Sequence, residues 1–282
     1  MAKEMAGKIA LVTGATSGLG KETALALAEK GALIVIHGRS KEKTEAVAAE
    51  IRSKVPGAQV EVILADYSKL ADVRAMADEF KRRFSRLDVL VNNAGIMINK
   101  RRVSSDGHEL MYQVNFLAPF LLTCRLLPLI EMSAPSRIVN VSSSAHQMGR
   151  LDFDNMELSK GFGGIRAYGS SKLMDLVFTY ELARRLEGKS VTANAVHPGV
   201  VRTNLGNEGG ALLRFFTIFG RNPKKGAETA VYVASSPEVA GISGKYFADK
   251  RPKESSARSH DQASWAKLWE VAEKTVGEQC KV

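Results

Sequence analysis

The feature that most constrains this chain is a regular alternation. Short runs rich in Val, Ile, Leu and Ala recur between longer helical patterns: "IALVT", "ETALALAEKG", "ALIVI", "KTEAVAAEIRSK". Continuous apolar runs suit strands covered on both faces, and strand–helix alternation implies parallel neighbours joined by crossovers. The pattern predicts strands near 8–13, 32–37, 60–65, 87–92, 136–142, 190–196 and 243–247. Helices are expected near 18–30, 41–54, 69–84, 107–131, 166–187 and 224–235. No repeat and no Pro/Gly/Ser-rich linker divides the chain, so 1–282 reads as a single α/β domain with a doubly wound sheet. In such sheets ligands bind beyond the carboxyl ends of the strands, which directs attention to the segments after each strand.

Composition narrows the class. At 45% apolar residues the 282-residue chain can bury a large core. Two cysteines, Cys124 and Cys280, cannot make a disulfide framework, which fits a reducing compartment. The five histidines show no metal-ligand spacing, so no metal is expected. "MAKEMAGK" lacks an apolar signal core, and "NFLAPFLLTCRLLPLI" is interrupted by Pro119, Arg125 and Pro128. The expectation is a cytoplasmic protein with no integral membrane anchor. A net charge of +10 favours anions, but the basic clusters are scattered without interleaved aromatics, so nucleic acid is not expected.

Four strand ends carry ligand-binding chemistry. "TGATSGLG" (13–20) follows the first strand and opens a helix. Gly14, Gly18 and Gly20 permit a tight turn and close backbone approach, and Thr16, Ser17 and Leu19 share the turn; helix amides there attract a diphosphate. The second strand ends "IVIHGRSK", with Arg39 and Ser40 where a dinucleotide site usually carries an acid. Arg39 suits a 2′-phosphate, hence NADP(H) rather than NAD(H); the bland alternative is a side chain snorkelling at a strand end. "LADY" brings Asp66 and Tyr67 to the adenine end, where Asp66 otherwise serves as a helix cap. "VNNAG" brings Asn93, Ala94 and Gly95 close to the cofactor. Farther on, Tyr168 and Lys172 in "AYGSSKLMDL" are four apart and share a helix face.

With Asn115 in "QVNFLAPF", Ser143 in "IVNVSSSAH", "YGSSK" and "HPGVVRT", these motifs resemble the short-chain dehydrogenase/reductase family over about residues 5–250. The resemblance implies a Rossmann-type fold with a seven-stranded parallel sheet and a catalytic set of Asn115, Ser143, Tyr168 and Lys172. Tyr168 would be the general acid/base and would face cofactor and substrate together. Lys172 would also bind ribose hydroxyls, Ser143 would hold the developing oxyanion, and Asn115 would kink its helix and hold a water. Ser142 is the near alternative to Ser143. Pro198, Gly199, Val200 and Thr203 would pass under the nicotinamide. Substrate would meet Ser143, Ala145, Tyr168, and Leu212, Phe215 and Phe216 in a lid loop at 204–222.

"VNVSSSAH", "RAYGSSKL", "FTYELARRL" and "GKYFADK" further resemble the retinol dehydrogenase-like branch. That implies NADP(H)-dependent interconversion of an alcohol and a carbonyl on a lipophilic or bulky substrate: a retinal-like aldehyde, or an aromatic or polyketide ketone. A homodimer or homotetramer through the helices near 107–131 and 166–187 is implied too. Residues 253–282 are expected to pack a final helix on Trp265, Leu268 and Trp269. The rival readings are a catalytically silent NADP-sensing or scaffold protein, and a reductase of the protochlorophyllide type.

Overall fold

The structure, a computed structural model, describes residues 3–199 and 222–282. Among them the apolar runs form β1 (Ile9–Val12), β2 (Leu33–Gly38), β3 (Val60–Leu64), β4 (Val89–Asn92), β5 (Ser136–Val141), β6 (Val191–His197) and β7 (Tyr246–Ala248). These pair in parallel in the order β3-β2-β1-β4-β5-β6-β7.

The expected count of seven needs one correction. An eighth strand, β8 (Arg251–Lys253), joins β7 antiparallel. The chain reverses at Asp249 and Lys250, both at positive φ (52° and 59°), the backbone that a two-residue hairpin requires. β8 is exposed, short and contains Pro252, which only an edge strand tolerates. Neither alternation nor β-branched residues mark it in the sequence.

Helices cover both faces of the sheet. On one lie α1 (Gly18–Glu29), α2 (Lys41–Lys54) and α6 (Pro223–Ser235), which share a core of Leu27, Ile51, Ala230 and Val233 with Ile34 and Val91. On the other lie α3 (Leu70–Arg83), α4 (Leu110–Met132) and α5 (Gly164–Arg185). Their core joins Phe80, Phe116, Phe120, Leu127 and Phe178 to Leu11, Leu90 and Ile138. By length and composition α4 could cross a membrane, but 78% of its most apolar window is buried in this core.

The C-terminal segment forms α7 (Gln262–Val276), capped by Asp261 at its start and ended by Gly277 in the left-handed region (φ 71°). It lies against α4 and α5. The Trp269 indole is 5.2 Å from the Phe120 ring and 5.8 Å from Phe178, with the Arg185 guanidinium 4.2 Å from its centroid. The helix pair expected to face other subunits therefore carries part of its own chain.

The reading of the cysteines is also corrected. Cys124 of α4 and Cys280 of the tail form a disulfide across 156 residues, Cα to Cα 4.8 Å. The pairing exists only because α7 returns the chain to α4, which no local pattern reveals. Beside it Glu278 meets Arg74 and Arg125, and Arg125 also holds Asp78 at 2.9 Å.

If Trp269 anchors α7, Trp269→Ala should lower unfolding free energy in urea by about 3–5 kcal/mol. Met132→Ala, on the same face of the sheet but 81% exposed, should change it by no more than about 0.5 kcal/mol. Equal effects would mean that α7 contributes nothing.

Candidate active site

Strand order reverses between β1 and β4, and the cleft opens beyond their carboxyl ends. It measures about 1010 Å³, room for a dinucleotide and a further molecule. The turn after β1 is pressed against the end of β4. A Cβ on Gly14 (φ 64°) would come within 2.7 Å of the Ala94 Cα, so only glycine fits. Thr13 Oγ1 accepts the N–H groups of Asn93 and Ala94 at 2.9 and 3.0 Å. Asn93 returns its amide to the carbonyls of Thr13 and Gly14 at 2.8 and 3.2 Å.

His37, at the end of β2, holds the turn from the other side. Its Nδ1 accepts the Gly14 N–H at 3.3 Å, and its Nε2 lies 3.1 Å from the Ala65 carbonyl. One tautomer satisfies both: the proton sits on Nε2 and donates to Ala65. The ring stacks on Tyr67, centroids 4.6 Å apart. Burial pushes the His37 pKa down to about 4, against the pull of the Ala65 carbonyl.

The residues fit a diphosphate. Ser17 is the N-cap of α1, yet its side chain makes no capping bond, and the first turn holds no acid. The opening amides and the positive end of the helix thus face the cleft with Thr16, Gly18, Leu19 and Gly20. Arg39 is exposed on the cleft wall, while Ser40 caps α2 through the Lys43 N–H at 3.4 Å and is not part of the lining. Asp66 lines the cleft and also accepts the Ser68 N–H at 3.0 Å, so it caps a turn from the cleft wall. Tyr67 and Gly95 line the same wall.

The second group comes from β5 and α5. Gly169 lets them meet closely, since a Cβ there would approach the Ala145 carbonyl to 2.7 Å. Tyr168 is half-buried and lines the cleft with Ser143 and Lys172. The two serines separate by geometry. Ser142 is buried and donates to the Lys172 carbonyl at 2.8 Å, whereas Ser143 is part-exposed and accepts the Ala145 N–H at 3.2 Å. Ser143 is the hydroxyl on the open side.

The Lys172 ammonium lies 5.8 Å from the Tyr168 ring centroid and donates to the Val141 carbonyl and to Asp175 Oδ2, each at 2.9 Å. Burial alone would lower its pKa, but the charges of Asp175 and Tyr168 and the hydrogen bond to Asp175 raise it. Asn115 sits in a π-helical turn, Gln113–Leu117, within α4. Its amide clasps both backbone groups of Ile96 (2.8 and 2.9 Å) and donates to Ser171 at 3.0 Å, tying α4, the end of β4 and α5 together. Pro198 and Gly199 close the floor. Val200, Thr203, Leu212, Phe215 and Phe216 lie outside the described residues.

Several contributors escape sequence reading. Ile96, Met97, Leu110, Val114 and Met148 give the cleft an apolar wall beside Ala145. The C-terminal segment braces the turn that carries Ser143: His146 links the Ser143 carbonyl (2.7 Å) to the Ser256 N–H (3.1 Å), and Arg258 donates to the carbonyls of Gln147 and Gly149 at 3.2 Å. Only His37 left a usable sign, a histidine in an apolar strand next to the glycine turn.

The family model for short chain dehydrogenase matches residues 8–211. Human retinol dehydrogenase 14 is 40% identical across 97% of this chain and 87% of its own length. Human retinol dehydrogenase 11 is 40% identical across 95% and 86%. Among solved structures, an uncharacterized protein from Mycobacterium paratuberculosis superposes with TM-score 0.82 at 33% identity, covering 98% of this chain and 96% of that one. A short chain dehydrogenase from Escherichia coli CFT073 complexed with NADPH gives TM-score 0.68 at 25% identity, covering 88% and 98%.

The His37 geometry predicts an acid-sensitive fold. Between pH 6.5 and about 4 the unfolded chain takes up a proton that folded His37 refuses, so stability present above 6.5 is lost as pH falls. The loss amounts to about 3 kcal/mol. Urea denaturation of wild type should show it between pH 7 and 4, and His37→Gln should flatten that slope; parallel slopes would contradict the assignment.

Proposed function

The chain belongs to the short-chain dehydrogenase family and to its retinol dehydrogenase-like branch, and we propose that it interconverts an alcohol and a carbonyl on a lipophilic or bulky substrate with NADP(H). The observation that carries this reading is one cleft lined at one end by a glycine turn with an uncapped helix start and at the other by Tyr168, Lys172 and Ser143. Bound there, the nicotinamide supplies or accepts the hydride.

The protein's own residues handle binding and the proton. The α1 amides hold the diphosphate, Asp66 meets the adenine, and Arg39 meets a 2′-phosphate from a stretch with no carboxylate between Gly38 and Lys41. In reduction the Tyr168 phenol donates its proton to the carbonyl oxygen, and the Ser143 hydroxyl donates a hydrogen bond to that oxygen as charge develops. Lys172 reaches the ribose hydroxyls and offers positive charge beside the phenol. Asn115 fixes the Ile96 backbone and so the near wall.

Ile96, Met97, Val114 and Met148 favour an apolar substrate. The retinol dehydrogenases among the relatives agree with a retinal-like aldehyde; an aromatic or polyketide ketone meets the same wall.

Tyr168→Phe should reduce kcat for NADPH-dependent reduction of retinal or a bulky ketone by about 10²–10⁴-fold. NADPH binding should stay within a few-fold, checked by fluorescence titration. Arg39→Ala should weaken NADPH binding by about 10–100-fold and leave NADH binding unchanged. Retained turnover in the first variant would refute the acid/base role, and equal losses for both nucleotides in the second would refute the 2′-phosphate contact.

A further inference from the structure

We propose that Asp175 is a positioning residue of this site: its carboxylate holds Lys172 as an ammonium, keeps the proton on the Lys172–Tyr168 pair, and biases the enzyme toward carbonyl reduction at neutral pH. The proposal rests on the reading of Tyr168 as the acid/base and adds a residue to it. Tyr168, Lys172 and Asp175 follow one another along a single face of α5 at spacings of four and three. Lys172 and Asp175 are 6% and 8% exposed in their side chains, and Nζ to Oδ2 is 2.9 Å.

A buried ammonium without a counter-ion is costly, and the Val141 carbonyl supplies a dipole but no charge. Asp175 supplies the charge. Burial raises its own pKa to about 6 against the attraction of Lys172, so it is ionised at neutral pH and the pair carries no net charge.

Among the described residues, Asp175 and Tyr168 are the ionisable groups whose charge acts on Lys172. The neighbouring elements offer neutral or distant partners. α4 contributes the Asn115 amide, β5 the Asn140 amide, which donates to Thr179 at 2.9 Å, and the turn after β5 contributes His146, whose pKa burial lowers. His197 lines the cleft from the end of β6.

The sign of the effect is therefore fixed. Removing the negative charge of Asp175 makes proton loss easier at Lys172, so its titration moves to lower pH. The basic limb of carbonyl reduction, which needs the proton kept on this pair, moves down with it, and oxidation of the alcohol sets in at lower pH.

The test compares wild type with Asp175→Asn, which keeps size and hydrogen bonding but not charge, and with Asp175→Glu as the charge-retaining control. Two readouts are taken. The first is kcat against pH for NADPH-dependent reduction; the second is the titration of the Lys172 ε-carbon by ¹³C NMR in the free protein. In Asp175→Asn both should fall by at least about one pH unit, a tenfold change on the limb, and Asp175→Glu should restore part of it. Coincident profiles together with an unchanged Lys172 titration would overturn the proposal. No carbonyl turnover by wild type, with Lys172 titrating lower in Asp175→Asn, would sink the activity reading and support the clamp. Should the Asn variant not fold, wild type decides alone. An Asp175 carboxyl carbon titrating near pH 6, with a matching response at Lys172, supports the proposal; independent titrations overturn it.

Discussion

Everything at the carboxyl edge of this sheet depends on how closely the turn after β1 approaches the end of β4. The contact is backbone on backbone at Gly14 and Ala94, and Thr13 and Asn93 lock it with four hydrogen bonds. These groups satisfy one another, which leaves the amides at the start of α1 free to face outward. A side chain at Gly14 would separate the turn from β4 and displace the glycine loop. His37 adds a second constraint from β2, and it does so only while neutral. The open helix start at this end of the cleft is thus a consequence of packing between adjacent strands.

The other end depends on burial of charge. Lys172 is held between a carbonyl and a carboxylate, and that arrangement fixes the side chain as firmly as packing fixes an apolar one. The neighbouring amides form a relay across elements: Asn92 joins Thr123 to Asn140, Asn140 joins Thr179, and Asn115 joins Ile96 to Ser171. β4, β5, α4 and α5 are coupled through groups that would each be costly if left unpaired. This explains why a π turn interrupts α4 at Asn115: the extra residue turns the amide inward to meet both Ile96 and Ser171.

Much of this was legible in the sequence, because the alternation of apolar runs with helical periods is a local property. The seven parallel strands and the helices with apolar faces emerge where expected, and Gly14, Asn93, Tyr168 and Lys172 line one cleft, where the motif spacing brought them together. What escaped depends on distant partners or on polar segments. β8 has no apolar signature, the Cys124–Cys280 bond needs α7 to return to α4, and the brace from Ser256 and Arg258 links residues over a hundred positions apart. Asp175 reads as an ordinary polar residue in a helix; only its burial against Lys172 gives it meaning.

The proposed exchange of a hydride and a proton in this cleft can be tested by following the hydride. NADPH carrying two deuteriums at nicotinamide C4, and separately one on either face, would be incubated with the protein and a bulky carbonyl such as retinal, and the alcohol analysed by mass spectrometry. One deuterium is expected on the carbinol carbon, delivered from a single face of the nicotinamide and absent without protein. Unlabelled alcohol from the dideuterated cofactor, or binding of NADPH with no transfer to any bulky carbonyl tried, would contradict the proposal.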